Sequence, residues 1–340
     1  KNDESINARL IAKHLGTNHN EIIINSNDTL KIVPLITKIY DEPFADSSQI
    51  PTYLVSSLAS SKVKVCLSGD GGDELFGGYN RYLWSRRLKL TPDFVKKQLL
   101  YLLRLISSNK AANIYNKIER FIPSSLRFSL VEEKFEKLNK VLSSKSDIDL
   151  FKSIISVTNS TDRLMVKDLS YDNISNKWNS LGDLQNLESR MMALDALTYL
   201  PGDILCKVDR ASMYHSLEIR SPYLDHQLIE YAFNLDNKFK FKNGVGKWIS
   251  RELLKKYVPL NYLSSTKKGF STPIDIWLRG PLKKWAEDLI SKEMILKHGI
   301  LNYDNVQSMW QNRQNGNANK NKELWNILIL QSWLEKEQNS

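Results

Sequence analysis

Apolar residues recur at helical spacing through most of the chain. Near the N-terminus, Ile6, Leu10 and Leu15 share one predicted helix face, and Gly16 ends that helix. The same spacing predicts further helices at 30–40, 47–60, 93–107, 110–121, 131–142, 147–156, 191–200, 246–254 and 323–333. Two short apolar runs instead indicate strands, at 21–24 and 63–67. Asp225 is expected to cap a helix that starts near Gln227, and the Asn-, Gly- and Lys-rich stretch 312–321 indicates an exposed loop. The pattern therefore predicts a mostly helical chain with a few strands near its beginning.

The second predicted strand leads into the stretch with the most chemical character. Residues 68–74 read S-G-D-G-G-D-E, so three glycines and three carboxylates follow a strand within seven positions. Glycines let the backbone approach a ligand closely, and exposed amides suit phosphate oxygens. Carboxylates beside them suit Mg²⁺, which proteins hold with one or two carboxylates plus substrate phosphates. A tight turn with solvated acids is the alternative interpretation at this point.

Composition excludes several classes of protein. With 340 residues, 41% hydrophobic and 25% charged, the chain can bury a core and matches a globular composition. The net charge is +10, and residues 81–120 hold ten Lys or Arg against Asp93 and Glu119, without a nucleic-acid motif. We expect a solvated basic face there, no nucleic-acid partner and no membrane partner. Cys66 and Cys206 are too few for a disulfide framework, which favours buried free thiols and a cytoplasmic location.

A resemblance to a known family rests on long motifs. Residues 68–79, S-G-D-G-G-D-E-L-F-G-G-Y, resemble the second nucleotide-site loop of the synthetase domain of glutamine-dependent asparagine synthetases. The segments L-G-T-x-H-x-E at 15–21, D-E-P-F-A-D-S-S-x-I-P-T-Y-L at 41–54 and L-P-G-D-I-L-C-K-V-D-R-A-S-M-Y-H-S-L-E-I-R-S-P-Y-L-D at 200–225 also resemble family segments. A fourth match, K-K-G-F-S-T-P-I-D-I-W-L, begins at Lys267.

This resemblance implies a fold. It is an α/β, adenine-nucleotide alpha-hydrolase-like fold (PP-loop ATP pyrophosphatase), with a parallel sheet covered by helices on both faces and a large all-helical C-terminal part. The implied domains are a partial ATP-binding domain at 1–90, a helical insertion at 91–180 and a helical part at 181–340 that completes the synthetase site.

The resemblance also implies roles for individual residues. The catalytic residues would be Lys267, Glu218 and Asp70. Nucleotide contacts would come from Ser68, Gly69, Asp70, Gly71, Gly72 and Lys267. Substrate contacts would come from Asp46, Thr52, Glu74, Glu218 and Arg220, and Asp73 would hold the metal. Ser48 is open between a substrate or metal contact and an N-cap, and the ionisable residues of 207–220 are open between a site and a structural ion-pair network.

The implied reaction is ATP-dependent amidation of aspartate to asparagine through β-aspartyl-AMP. Its cofactors would be ATP and Mg²⁺, and its ammonia would come from glutamine in a glutaminase domain expected upstream. Two features depart from the family pattern. Ser265 replaces the family's arginine, and the principal phosphate loop, Ser-Gly-Gly-x-Asp-Ser, does not occur in the sequence. We therefore expect an N-terminally truncated chain, inactive by itself, with loss of the loop in a homologue as the alternative.

Two other functions stay open. The chain could amidate another carboxylate, in polysaccharide or secondary metabolism, or it could be a non-catalytic homologue that binds or scaffolds. Asp73 and Glu74 count against the second. Whether the chain forms a homodimer also stays open.

Overall fold

The computed structural model describes residues 5–23, 26–105, 131–157, 161–166, 173–182, 184, 186–262, 272–315 and 321–338. The chain divides into two compact units, each built from two separate stretches. The first comprises Lys1–Leu83 and Glu188–Pro273, and the second Trp84–Leu187 and Ile274–Ser340. The boundaries between these units do not fall at 90 and 180. The three domains implied at 1–90, 91–180 and 181–340 therefore stay a prediction. None of the described helices has the length and apolar character needed to cross a membrane.

The first unit combines short helices with two strands. Its elements are α1 (Ser5–Leu15), α2 (Ser26–Ile32), a 3₁₀ turn (Val33–Leu35), α3 (Ile36–Ile39), α4 (Gln49–Ser60), β1 (Val65–Leu67), α5 (Gly72–Phe76), α6 (Asn80–Leu90, which runs on past the division), α12 (Leu187–Leu197), a π-helical turn (Leu200–Leu205), α13 (Cys206–Met213), β2 (Glu218–Arg220), a 3₁₀ turn (Pro222–Leu224), α14 (His226–Asn234), α15 (Asn237–Lys240), α16 (Trp248–Leu254) and a 3₁₀ turn (Leu260–Tyr262).

The second unit is helical. Its elements are α7 (Asp93–Leu105), α8 (Val131–Leu142), α9 (Asp147–Ile155), α10 (Thr161–Leu164), α11 (Asn173–Ser180), α17 (Ile274–Arg279), α18 (Lys283–Leu289), α19 (Lys292–His298), α20 (Tyr303–Gln314) and α21 (Asn321–Gln338). Trp325 and Leu328 of α21 are buried in its core. The guanidinium of Arg313 is also buried, and it donates to the main-chain oxygen of Asp275 at 2.6 Å.

The sheet is the first correction to the sequence prediction. β1 and β2 pair in parallel, with Val65 opposite Glu218 and Leu67 opposite Arg220. These are the only strands of the described residues, so a wider parallel sheet with helices on both faces is not confirmed. β2 also lies within 181–340, which we predicted to be all-helical. A run of three residues is too short to show strand alternation in the sequence.

One local prediction was wrong, and a second was right only about where the α-helix ends. Residues 21–23 form no strand, since Ile23 is exposed and Glu21 binds Arg9 in an ion pair at 2.6 Å instead. The α-helix predicted to stop before Pro201 does so, because α12 ends at Leu197, but the chain stays helical beyond it. Because proline lacks the N–H of a regular helical bond, the chain widens into the π-helical turn and continues directly into α13.

Most of the helices were predicted correctly. Gly16 has a φ of +66° after α1, as its role in ending that helix requires. Asp225 caps α14 by accepting hydrogen bonds from the amides of Gln227 and Leu228. The helix predicted at 110–121 lies outside the described residues. The loop predicted at 312–321 begins later than expected, because α20 extends to Gln314.

Candidate functional site

The glycine loop lies where the two parallel strands end. The amide of Ser68 donates to the main-chain oxygen of Arg220 at 2.9 Å, which continues the β1–β2 ladder into the loop. The hydroxyl of Ser221 donates to the main-chain oxygen of Asp70 at 2.5 Å. The carboxyl ends of parallel strands are where open α/β sheets bind ligands. Residues 68–72, the predicted nucleotide contacts, thus lie together at such an end.

Glycine is required at specific positions of this loop. Gly71 caps the start of α5 with a φ of +86°, and a Cβ atom there would lie 2.6 Å from the side chain of Leu224. Gly72 packs against the ring of Tyr223. A Cβ atom on Gly69, by contrast, would meet nothing within 4 Å. The loop is therefore fixed at its C-terminal half and open at Gly69.

Ser68 carries a polar atom that points to a ligand. Its Oγ atom is buried and has no hydrogen-bond partner among the described residues. A buried hydroxyl without a partner costs free energy, so such atoms in native structures call for an explanation. An acceptor or donor on a bound nucleotide would satisfy it. The loop geometry thus fits the predicted role of Ser68.

A cavity of about 420 Å³ adjoins the loop. Its wall includes two loop residues and several polar side chains of α13 and the turn after β2: Ser68, Asp70, Cys206, Asp209, Arg210, Ser212 and Ser221. Arg210 forms an ion pair with Asp41 at 3.0 Å, and the Cys206 thiol donates to Glu42. Burial, together with that hydrogen bond, raises the pKa of Cys206 to about 12, so the thiol stays protonated. Cys206 is only partly buried, as is Cys66, which corrects the prediction of buried thiols.

Asp73 was predicted to hold the metal, and the structure gives it another partner. Its Oδ1 atom lies 2.8 Å from Nζ of Lys247, which is 174 positions away in the chain. Gly78 makes this pair fit, because a Cβ atom there would overlap both Asp73 and Lys247. Nor do the described residues contain any group of three or more His, Cys, Asp or Glu side chains that could hold a metal. As arranged, Asp73 is held by Lys247, so its role as a metal ligand stays a prediction, and we derive no step through a resident metal.

Glu74 and the aromatic residues after it form a buried polar cluster. The hydroxyl of Tyr79 donates to Glu74 at 2.6 Å. Burial raises the pKa of Glu74, and the hydrogen bond from Tyr79 offsets part of that rise. Next to this pair, Asp195 accepts from Arg81 at 2.8 Å and from Tyr82 at 2.6 Å. The cluster anchors the C-terminal side of the loop, so Glu74 is bound internally in this arrangement.

The predicted substrate residues Asp46 and Thr52 are also engaged. Asp46 lies 2.7 Å from Nζ of Lys207 and accepts from Ser48 at 2.6 Å, while the hydroxyl of Thr52 donates to the main-chain oxygen of Ser48. Ser48 occupies the N-cap position of α4, but its side chain makes no capping hydrogen bond. Asp203 also faces Lys207, at 3.6 Å. Burial and the charge of Asp46 raise the pKa of Asp203 to about 7.

Glu218 and Arg220, the remaining predicted substrate residues, lie beside each other. They are two positions apart along β2, so both side chains lie on the same face of the strand. Arg220 donates a hydrogen bond to Glu218 at 2.7 Å. Both side chains are exposed. The third predicted catalytic residue, Lys267, lies outside the described residues, as do Ser265 and Lys268.

Sequence reasoning missed two cations of this unit. The sequence places Lys247 at the start of the helix predicted at 246–254, and Arg210 among the ionisable residues of 207–220, which stay open between a site and an ion-pair network. Each is matched to a carboxylate far away in the chain, so no local pattern shows the pairing. The excess of acidic residues in the loop could have indicated that cationic partners come from elsewhere in the chain, because a buried carboxylate needs a partner.

Comparison with known proteins identifies a family for this chain. The asparagine synthase family profile matches residues 1–335. This chain belongs to the asparagine synthase family. Similar proteins include asparagine synthetase [glutamine-hydrolyzing] 1 of Bacillus subtilis, 28% identical over 96% of this chain and 49% of the relative. A putative asparagine synthetase [glutamine-hydrolyzing] of Mycobacterium bovis is 28% identical over 95% of this chain and 47% of its own length.

More distant relatives carry other names. Amidase chry2 of Gibberella zeae is 24% identical over 93% of this chain and 48% of the relative. The chain therefore spans about half the length of the curated relatives it matches. The resemblance to glutamine-dependent asparagine synthetases in the motifs is confirmed at the level of the family.

Proposed function

We propose that this chain carries the synthetase half of a glutamine-dependent enzyme that converts aspartate to asparagine. Membership of the asparagine synthase family supports an ATP-dependent amidation. The observation that carries the proposal within the structure is the loop 68–72 at the ends of β1 and β2, with the unpartnered Ser68 hydroxyl beside a polar cavity. We also propose that the protein has the wider parallel sheet of the PP-loop ATP pyrophosphatases and that it acts in the cytoplasm.

The reaction needs two steps. A carboxylate oxygen of aspartate attacks the α-phosphorus of ATP and displaces pyrophosphate, which forms β-aspartyl-AMP. Ammonia then attacks the acyl carbon, AMP leaves and a proton is lost. Orientation of the two reactants and donors aimed at the phosphate oxygens supply most of such catalysis. Ser68, the loop amides and Lys267 are our candidates for those donors, and Asp70 and Glu218 for facing the acyl group. ATP enters with Mg²⁺ as its substrate complex.

Partners follow from the same proposal. Aspartate, ATP and ammonia are the reactants, and glutamine hydrolysis in a glutaminase domain upstream supplies the ammonia. We propose no nucleic-acid partner. The relatives named amidases keep amidation of another carboxylate as the second candidate, with weak support.

The test uses the product of the complete open reading frame that encodes this chain. With glutamine, aspartate and MgATP, we expect asparagine together with AMP and pyrophosphate in equal amounts. Asp70→Asn and Glu218→Gln should each lower kcat by roughly 100-fold or more. Glu230→Gln, an exposed carboxylate on α14, is the matched control and should leave the rate unchanged.

Three results would contradict the proposal. ADP and phosphate as products would indicate an acyl-phosphate route. No turnover of aspartate with turnover of another carboxylate would favour the second candidate. Equal rates for Asp70→Asn, Glu218→Gln and Glu230→Gln would show that Asp70 and Glu218 do not have the roles proposed for them. We also expect the 340-residue chain alone to make no asparagine from ammonia, because its sequence lacks the Ser-Gly-Gly-x-Asp-Ser loop.

A further inference from the structure

Helix α7 turns much of its apolar surface outward. Five apolar residues along it are exposed, as is Tyr101: Phe94, Val95, Leu99, Tyr101, Leu102 and Leu105. At 3.6 residues per turn these side chains occupy one arc of about 160°. On the opposite side Leu103 is buried, and Leu100 lines an open pocket with Leu142 and Leu150, at whose rim Lys97 also lies. The helix therefore has one packed face and one broad, exposed apolar face.

The chain just before this helix has the same character. Trp84 and Leu90 of α6 are 66% and 74% exposed, and Leu90 is only four positions from Phe94. Monomeric proteins seldom expose contiguous apolar surface of this extent without a partner. Tryptophan and tyrosine are the side chains that favour the boundary between apolar and aqueous phases.

Cations accompany the apolar residues. Residues 84–105 contain six Lys or Arg and one Asp, a net charge of +5. Two of the lysines already have partners, Lys89 with Asp147 at 2.9 Å and Lys96 with Asp93 at 3.2 Å. Lys97 and Arg104 lie at one edge of the apolar arc by helical position. A basic edge beside an arc of Phe, Tyr and Leu is the pattern of helices that lie in the plane of a membrane surface.

We propose that α7, with the end of α6, seats this chain on a bilayer surface that contains anionic phospholipid. Charge complementarity selects this occupant. A second copy of the chain would bring the basic segment 84–105 against the same basic segment, which opposes self-association. Nucleic acid would meet the cations but leave the apolar arc in water. A bilayer surface offers acyl chains for the arc and phosphate groups for Lys97 and Arg104. This inference is independent of the proposed amidation and departs from the expectation of no membrane partner.

The experiment is flotation of the product of the complete open reading frame with lipid vesicles. Vesicles of phosphatidylcholine with roughly 30% phosphatidylglycerol should bind it at least about tenfold better than phosphatidylcholine alone. About 0.5 M NaCl should reverse most of that preference by screening. The double variant Phe94→Asp/Leu102→Asp should lower binding at least about tenfold, since it removes apolar area from the arc.

The controls distinguish binding through this face of α7 from nonspecific hydrophobic binding. Leu296→Asp alters an apolar residue of α19 with 62% exposure, close to the 65% of Phe94, and should bind like the wild type. Lys97→Glu/Arg104→Glu keeps the apolar arc and should lose only the preference for phosphatidylglycerol. Circular dichroism and thermal midpoints check that each variant is folded.

Several outcomes would overturn the proposal. One is absence of binding by the wild type. Another is equal loss in the Leu296→Asp control. A third is a concentration-dependent dimer that Phe94→Asp/Leu102→Asp abolishes, because the face would then be an interface between copies of this chain.

Discussion

Lys240 gives the sharpest test of the structure's electrostatics. It ends α15 in the unit that carries the glycine loop, and only 1% of it is exposed. Its ammonium lies 5.7 Å from the centre of the Phe233 ring. Burial lowers its pKa from 10.5 to about 8, and the charge of Asp236 opposes only part of that change. The folded state therefore disfavours the charged form of this lysine.

The magnitude follows from linkage. A fall from 10.5 to about 8 corresponds to a destabilisation of roughly 3 kcal/mol whenever the lysine is charged in both states. That cost is fully present below about pH 8. It disappears as the pH rises from about 8 to 10.5, because the folded state then loses its proton before the unfolded state does.

Lys240→Met removes the charge and keeps most of the apolar stem. At about pH 7 we expect the variant to be more stable than the wild type by roughly 3 kcal/mol, and the gain to shrink towards zero near pH 10.5. Urea unfolding at a series of pH values measures both. Lys238→Met, on the same helix but with 69% of its side chain exposed, is the matched control and should change stability little at any pH. A Lys240→Met variant that is less stable at pH 7, or whose gain is independent of pH, would refute this reasoning.

Three further predictions concern the site unit, each measured by urea unfolding. The pKa of Asp203 is raised from 3.8 to about 7, so the folded state loses stability as the pH rises through that range. Asp203→Asn should therefore be more stable than the wild type at pH 8, by roughly 4 kcal/mol, and close to it near pH 4. A constant difference would contradict this. Gly78→Ala should destabilise by roughly 1–3 kcal/mol, because its Cβ would overlap Asp73 and Lys247, whereas Gly69→Ala has open space and should cost little. Asp195→Leu should cost roughly 3–5 kcal/mol, since it leaves the guanidinium of Arg81 buried without its carboxylate, and a neutral result would show that water reaches this pair.

Local rules explain which parts of the fold could be predicted. The cap of α14 by Asp225 and the end of α1 at Gly16 each depend on residues within a few positions, and both predictions were confirmed. The segment 21–24 has the β-branched residues of a strand, but a strand also needs a neighbour. Within the described residues no strand pairs with 21–23, and propensity alone could not show that.

The same distinction between local and distant contacts decides which parts of the site could be predicted. The cluster of Ser68, Gly69, Asp70, Gly71 and Gly72 could be predicted because these residues are consecutive and follow a strand. The partners of Asp73 and Asp46 could not, because Lys247 and Lys207 come from distant parts of the chain. Their pairing is decided by the cost of burying a lone carboxylate, which acts only once the fold has brought the groups together.

These ion pairs bear on the chemistry of the site as much as on its stability. Asp73 and Asp46 were assigned to metal and substrate, yet each is held by a lysine at 2.8 Å or less. A carboxylate held in this way can reach a new ligand only if its lysine also finds a new anion. The phosphates of ATP would supply that anion for Lys247, so arrival of the nucleotide and release of Asp73 would be a single exchange of partners. On this argument, nucleotide binding should precede any use of Asp73 as a ligand, and Asp73→Asn should weaken binding of MgATP without weakening binding of metal-free ATP.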